Sequence, residues 1–306
     1  MRTRGDRRFF APAIFLLAVV AAAGCRREPA PPAATLTATI DAYLTNLPEG
    51  YGAMTPAALN ERIQSGKPFI VDVRDAEEIH NQGYIAGSVS IPSRSLLRNL
   101  DKLPGRSRPI VVICASGIRS AMAMTALQLM GYTNVSALTG GVLAWKAAKL
   151  PLETGTPPGA DRMTRFRQWL NWRFKSTSGR DDSGQELLAA LDRFLSNLPM
   201  SLNTVPAPIL RDLMASSNPF QLDVRDVAEA GDRGAIAGAT IIPIRTLVRN
   251  LDKLPPDTHA LIVTECDNGH RAAMTMVVLN VLGHTEVRML TGGLAAWTRA
   301  GLPLGT

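Results

Sequence analysis

The chain has 306 residues, 46% hydrophobic and 19% charged, a composition that excludes a disordered or fibrous protein and is long enough for two ordinary domains. Its formal net charge of +7 suggests a nucleic-acid partner until it is mapped: residues 1–24 hold +3 and residues 154–185 another +3, so the rest of the chain is nearly neutral. No broad phosphate-binding face and no nucleic-acid partner are therefore expected.

The first segment reads as an address. MRTRGDRR is basic, and Phe9 to Gly24 is a 16-residue stretch without charge, short for a membrane span and suited to the apolar region of a signal peptide. It ends AAAGC. This is similar to the lipobox of bacterial lipoproteins, in which small residues precede a cysteine that is lipidated and becomes the mature N-terminus. Ala22, Ala23, Gly24 and Cys25 match that pattern, with Ala22 where the family prefers Leu. The resemblance implies a signal peptide over 1–24, lipidation at Cys25 and a membrane contact through the lipid, on the periplasmic side of the cell envelope. Ordinary signal cleavage, giving a soluble periplasmic protein, and an uncleaved anchor are the alternatives. RREPAPPAA follows, so residues 25–38 read as a Pro/Ala tether.

The rest of the chain is a duplication. IDAYLTNLP (Ile40–Pro48) matches LDRFLSNLP (Leu191–Pro199), FIVDVRD (Phe69–Asp75) matches FQLDVRD (Phe220–Asp226), GYIAGSVSIP (Gly83–Pro92) matches GAIAGATIIP (Gly234–Pro243), and LLRNLDKLP (Leu96–Pro104) matches LVRNLDKLP (Leu247–Pro255), all 151 positions apart. One extra residue then moves the offset to 152, which pairs Cys114 with Cys266 and TGGVLAW (Thr139–Trp145) with TGGLAAW (Thr291–Trp297). The expected domains are 39–153 and 190–306, joined by a basic, aromatic linker over 154–189.

Within the first copy, strands are expected at Tyr51–Met54, Phe69–Val73, Ser88–Ile91, Ile110–Cys114 and Val135–Leu138. Helices are expected at Pro56–Ser65, Ala76–Gln82, Ser95–Asp101, Ser120–Met130 and Val142–Ala148. Apolar, β-branched strands alternating with short helices predict an α/β domain, a parallel sheet flanked by helices on both faces. In such sheets ligands bind beyond the carboxyl ends of the strands, where Cys114 stands. A cysteine facing a helix N-terminus meets backbone N–H groups and the positive end of the helix dipole, which favour an anion and the nucleophilic thiolate. The three cysteines, Cys25, Cys114 and Cys266, and four histidines are too scattered for a zinc site, and neither metal nor cofactor is expected.

DVR followed by an acidic residue, G-x-I-x-G-x-x-x-I-P, C-x-x-G-x-R and T-G-G-x-x-x-W recur in this order in both copies, and together they resemble the rhodanese family of sulfurtransferases. Tyr84 and Ala235 stand where that family often has His. The resemblance implies two rhodanese-like domains and a loop from Cys114 to Arg119 (Ala115, Ser116, Gly117, Ile118, with Ser120 next) whose N–H groups surround the sulfur. The second copy would use Cys266, Asp267, Asn268, Gly269, His270 and Arg271. Cys114 would take sulfane sulfur from thiosulfate or a similar donor as a persulfide and give it to a thiol acceptor, small or protein. Cysteine is both thiolate-forming and soft enough for attack at sulfur, and inward N–H groups stabilise the anion. Gly117 lets the backbone curl, and Arg119 would fix loop carbonyls or attract the donor. Phosphatases that use Cys and Arg separate them by five residues. Here four separate Cys114 from Arg119 and Cys266 from Arg271, a loop sized for one sulfur.

The copies differ beside the nucleophile. Glu265 and Asp267 flank Cys266 and are expected to oppose its thiolate, partly offset by His270 if protonated. Cys114 is therefore the expected main carrier, with Cys266 slower, serving another donor, or a relic packed in its loop. Asp72 and Asp223, with Arg74 and Arg225, are expected to support the loops, a carboxylate at a strand end commonly capping nearby N–H groups. Trp145, Trp297, Met122, Met124 and Met130 are expected in the core, and Arg98 and Arg249 in solvent. The linker stretch Arg162–Lys175 reads either as a basic amphipathic helix on lipid or as a connector packed between domains. A binding or scaffold protein that keeps the fold without turnover is the competing function.

Overall fold

The computed structural model describes residues 36–66, 68–155 and 182–305. The signal segment, Cys25, most of the tether and the Arg162–Lys175 stretch lie outside the described residues.

The first copy runs α1 (Leu36–Thr45), β1 (Ala53–Met54), α2 (Pro56–Gly66), β2 (Phe69–Asp72), α3 (Ala76–Gln82), β3 (Ser88–Ser90), a 3-10 helix (Ser93–Lys102), β4 (Ile110–Ile113), α4 (Ile118–Leu129), β5 (Val135–Leu138) and α5 (Gly141–Ala147). The second repeats it: α6 (Asp182–Ser196), β6 (Thr204–Val205), α7 (Ala207–Ser216), β7 (Phe220–Asp223), α8 (Val227–Arg233), β8 (Thr240–Ile241), a 3-10 helix (Ile244–Lys253), β9 (Ile262–Glu265), α9 (His270–Val281), β10 (Val287–Leu290) and α10 (Gly293–Arg299). Each copy forms a five-stranded sheet, in the orders β1-β5-β4-β2-β3 and β6-β10-β9-β7-β8. All strand pairs are parallel, and Asp72 lies opposite Ile113 as Asp223 lies opposite Glu265.

The nucleophile-bearing strand is central in each sheet, so both its faces are covered and it reads as a continuous apolar run. Alternation along the strand sends Val112 and Cys114 into one core and Val111 and Ile113 into the other. The second core contains Leu59, Leu138 and Trp145, and its counterpart contains Val263, Leu290 and Trp297. The first cores of the two copies are continuous with each other. They meet where α4 packs on α9, two helices buried nearly all round.

The helices that precede the two sheets are exchanged. α1 packs on the 3-10 helix Ile244–Lys253 of the second copy, and α6 packs on Ser93–Lys102 of the first. Arg249 reaches Asp41 and Arg98 reaches Asp192 across these contacts. The two arginines, expected in solvent, are more than half exposed but paired.

Most expected elements stand within one or two residues. The Ser95–Asp101 helix is a 3-10 helix with a non-helical Asn99, and the strand expected from Tyr51 begins only at Ala53, because Tyr51 adopts a left-handed φ of 56°. α6 starts inside the span read as linker. Trp145, Trp297, Met122 and Met124 are core residues, and Met130 is partly buried against it. Among the described residues no helix is long and apolar enough to cross a membrane.

Candidate functional site

Cys114 sits one residue beyond β4, and the chain turns at once into α4. Gly117 makes the turn at φ 95°, and a Cβ there would stand 2.8 Å from the Gly140 nitrogen. The turn aims N–H groups at the sulfur: Gly117 N–H donates to Cys114 Sγ at 3.1 Å and Ser120 N–H at 3.3 Å. Ser120 Oγ lies 3.6 Å from the sulfur and donates to the Gly117 carbonyl. The loop carbonyls face outward because the start of α5 holds them. Val142 N–H donates to Cys114 O at 2.8 Å and Leu143 N–H to Ala115 O at 3.0 Å. Gly141 allows this approach, since a Cβ there would meet Cys114 O and, at 2.5 Å, Ala115 O. Of the two roles expected for Arg119, fixing the loop carbonyls thus falls to α5.

Arg119 is engaged elsewhere. Its guanidinium is bidentate to Glu78, at 2.6 and 2.5 Å. Glu78 also accepts the Asp75 N–H as half of the α3 capping box, so one carboxylate ties the start of α3 to the start of α4. The Arg119 hydrogen bond holds Glu78 below the usual carboxylate range. Burial works against the Arg119 charge, and Glu78 and Cys114 more than offset it. Asp72 and Arg74 form a buried ion pair beneath: Arg74 Nη2 lies 2.6 Å from Asp72 and donates to Gly83 O, and Asp72 caps the Arg74 N–H. The backbone cap expected of Asp72 is present.

The second copy repeats the frame. Cys266 Sγ accepts Gly269 N–H at 3.2 Å and Ala272 N–H at 3.4 Å, Leu294 and Ala295 hold the outward carbonyls, Arg271 pairs with Glu229, and Asp223 pairs with Arg225. Ala272 replaces Ser120, so no hydroxyl stands beside this sulfur. Burial pushes the Cys266 thiol up, against the N–H groups and Arg271.

The flanking carboxylates do not act as expected. Asp267 lies among three guanidiniums, Arg271 and Arg233 at 3.2 Å and Arg225 at 3.7 Å, which neutralise it. Strand alternation sends Glu265 to the face opposite Cys266. Burial, then the Asp223 charge, pushes its carboxyl up to about 8, so it is protonated at neutral pH. His270 is not a protonated partner either: burial lowers its pKa, and Nε2 lies 3.0 Å from the Tyr51 carbonyl. Burial of the sulfur, the first of these effects on its thiol, is what disfavours the Cys266 thiolate.

The two loops line one cleft. Ser116, Gly117 and Ile118 from the first and Asn268, Gly269 and His270 from the second border it, with Thr139 and Gly140. Both cysteines are buried beneath their loops, 1% and 0% exposed, and both are free thiols. Among the described residues no cluster could hold a metal ion.

Sequence reasoning missed Glu78, Glu229, Arg233, Tyr51 and the α5 and α10 N–H groups. The glutamates had a signal: Asp75 and Glu78, like Asp226 and Glu229, have the spacing of a capping box. The Gly140–Gly141 pair signalled a close backbone approach.

Two parallel α/β sheets, each with a cysteine cradled by N–H groups at the end of its central strand, define the class. The rhodanese-like domain model matches residues 55–148 and 207–300, and the chain belongs to the rhodanese-like family. It is 37% identical over 109 residues to the HTH-type transcriptional regulator Rv0324 of Mycobacterium tuberculosis, a match covering 35% of this chain and 47% of that one. A sulfurtransferase of Allochromatium vinosum is 35% identical over 84 residues (28% and 77% of the two chains). The thiosulfate sulfurtransferase GlpE of Haemophilus influenzae is 32% identical over 101 residues (33% and 93%). The chain thus spans about half the length of the first of these relatives and carries two copies of a domain that nearly fills the last.

Proposed function

We propose that the protein transfers sulfane sulfur through a cysteine persulfide, with Cys114 as the main carrier. The observation that supports this best is the cradle itself: a buried thiol facing two backbone N–H groups and the Ser120 hydroxyl, with the loop carbonyls held outward. The Cys114 thiolate attacks the outer sulfur of thiosulfate, a new S–S bond forms, and sulfite leaves with the electron pair of the old one. The N–H groups that stabilised the thiolate then face the persulfide's terminal sulfur. An acceptor thiolate attacks that sulfur and Cys114 thiolate departs, closing a ping-pong cycle without net change at the cysteine. Thiosulfate as donor draws on the likeness to the GlpE enzyme, whose printed name carries that activity. Cys266, without the hydroxyl and with its thiol pushed up, is the slower carrier.

The test is thiosulfate:cyanide sulfurtransfer by Cys114→Ser and Cys266→Ser proteins, with intact-mass measurement after thiosulfate. Loss of most turnover in Cys114→Ser, and a one-sulfur mass gain on Cys114 in the other protein, is expected. Full activity in Cys114→Ser sinks the assignment, and no sulfur on either cysteine with any donor favours a binding or scaffold role. The reading includes a periplasmic position held by a lipid on Cys25. Labelled fatty acid incorporated into the native protein and absent from Cys25→Ala checks it.

A further inference from the structure

The two loops differ most in what the other copy lays against them. Tyr51, from the first copy, reaches the second loop at two points and the start of α8 at a third. Its hydroxyl donates to Asp226 at 3.3 Å, its carbonyl faces His270 Nε2 at 3.0 Å, and its ring centroid is 5.0 Å from the Arg271 guanidinium carbon. Arg245 covers the ring from 5.1 Å and is itself fixed by the carbonyls of Leu47 and Pro48. The segment is anchored at home, since a Cβ on Gly52 would stand 2.7 Å from Met124 Sδ.

Among the described residues the first loop has no equivalent of the three Tyr51 contacts. The position equivalent to Tyr51 is Leu202, with the same left-handed backbone (φ 55° against 56°) but no hydroxyl and no aromatic ring. Ile118 stands where His270 does and cannot bond a carbonyl. Arg94, the counterpart of Arg245, keeps one equivalent contact, to Ser196 O as Arg245 holds Thr45 O, but reaches Met200 Sδ where Arg245 holds the Leu47 and Pro48 carbonyls.

We propose that Tyr51 is a positioning and specificity-determining residue of the Cys266 site: contributed by the first domain, it clasps the second loop at His270 and Arg271 and restricts which sulfur donors reach Cys266. The clasp rests on the sulfur-carrier reading for its consequence, though not for its existence. With Glu229 and Asp267 taking the edge of the Arg271 guanidinium and Tyr51 its face, that arginine presents little to an incoming anion. The Cys114 loop, unclasped, admits bulkier donors. The selectivity between the two sites is thus set by one side chain that crosses the interface.

The test compares the two thiols in one molecule. Native protein is alkylated with iodoacetamide, and the rates at Cys266 and Cys114 are read separately by peptide mass spectrometry. Tyr51→Leu should raise the Cys266:Cys114 ratio about fivefold, the size of one lost cation–π contact. Tyr51→Phe, which keeps the ring, should change it less. Leucine is accommodated here, as Leu202 shows in the same backbone conformation. His270→Ile, which copies Ile118 and releases only the carbonyl contact, is the second variant and should move the ratio the same way. A ratio unchanged in both Tyr51→Leu and His270→Ile overturns the clasp. For selectivity, the Cys114→Ser protein is assayed with thiosulfate and with a bulkier arenethiosulfonate. Tyr51→Leu should lower KM for the larger donor more than for thiosulfate, with kcat little changed. Equal effects on both donors overturn the specificity role. If neither cysteine takes sulfur from either donor, the sulfur-carrier reading fails, and the alkylation ratio still decides the clasp.

Discussion

Glu265 is a fully buried carboxylic acid opposite Asp223 in the sheet, with neither oxygen hydrogen-bonded among the described residues. Its folded pKa of about 8 stands above the ordinary value of 4.5. Between those values the folded protein keeps a proton that the unfolded chain releases, so stability falls as pH rises through this window and levels off above it. One such group steepens the slope by up to about 1.4 kcal/mol per pH unit. Glu265→Ile, which copies Ile113, should remove that slope and stabilise the protein at about pH 8 by a few kcal/mol. Denaturant midpoints at mildly acidic and mildly alkaline pH check it, and an unchanged difference between them refutes the assignment. Glu265 was visible in the sequence as a charge beside the nucleophile. Its real position followed from the period of the strand, which sends adjacent residues to opposite faces.

At the scale of elements, the start of α5 shapes the nucleophile's loop from behind. Gly141→Ala should therefore act on chemistry at a distance. The added methyl meets the Cys114 and Ala115 carbonyls, and the φ of 57° is itself costly for alanine. A loss of about 2 kcal/mol or more and little persulfide on Cys114 are expected, read by thermal unfolding and by mass measurement after thiosulfate. Normal sulfur loading would show that the carbonyls need no such support. The T-G-G motif was legible as a family mark, and its pairing with the cysteine was not, because α4 and β5 intervene in the chain. The strands and their parallel order were legible because buried parallel strands are continuous apolar runs. The 3-10 helices were less so, since an amphipathic segment of ten residues looks much the same in either helix type.

For the whole molecule, the duplication made two domains evident, yet it could not say which sheet each leading helix docks on. α1 and α6 carry nearly the same apolar pattern and face nearly identical 3-10 helices, so a helix docked at home and one docked across have the same sequence. Among the described residues the cores of the two copies are continuous, so the two domains are expected to unfold as one cooperative unit. Leu44→Ala, in α1 and fully buried, should cost about 2–5 kcal/mol and lower a single calorimetric transition. Two separated transitions, with only the first domain's affected, would show that α1 serves its own copy. The clasp belongs to this scale as well: Tyr51 was invisible because Leu202 breaks the repeat there, and a departure from the repeat was the only trace it left.

The exchanged helices also impose an order of events on synthesis. α1 is made first, but the surface it covers is made roughly 200 residues later, on the order of 10–40 s at ribosomal speed. During that interval α1 has only α4 of its own copy to pack on and lacks the larger part of its native contact, and the first domain's own 3-10 helix waits for α6. A nascent chain stalled after α5 therefore carries an open apolar groove that a second nascent chain can fill with the same helix. Premature termination should yield paired or aggregated first domains, and a single-repeat ancestor closed by the same exchange would have been a two-fold dimer.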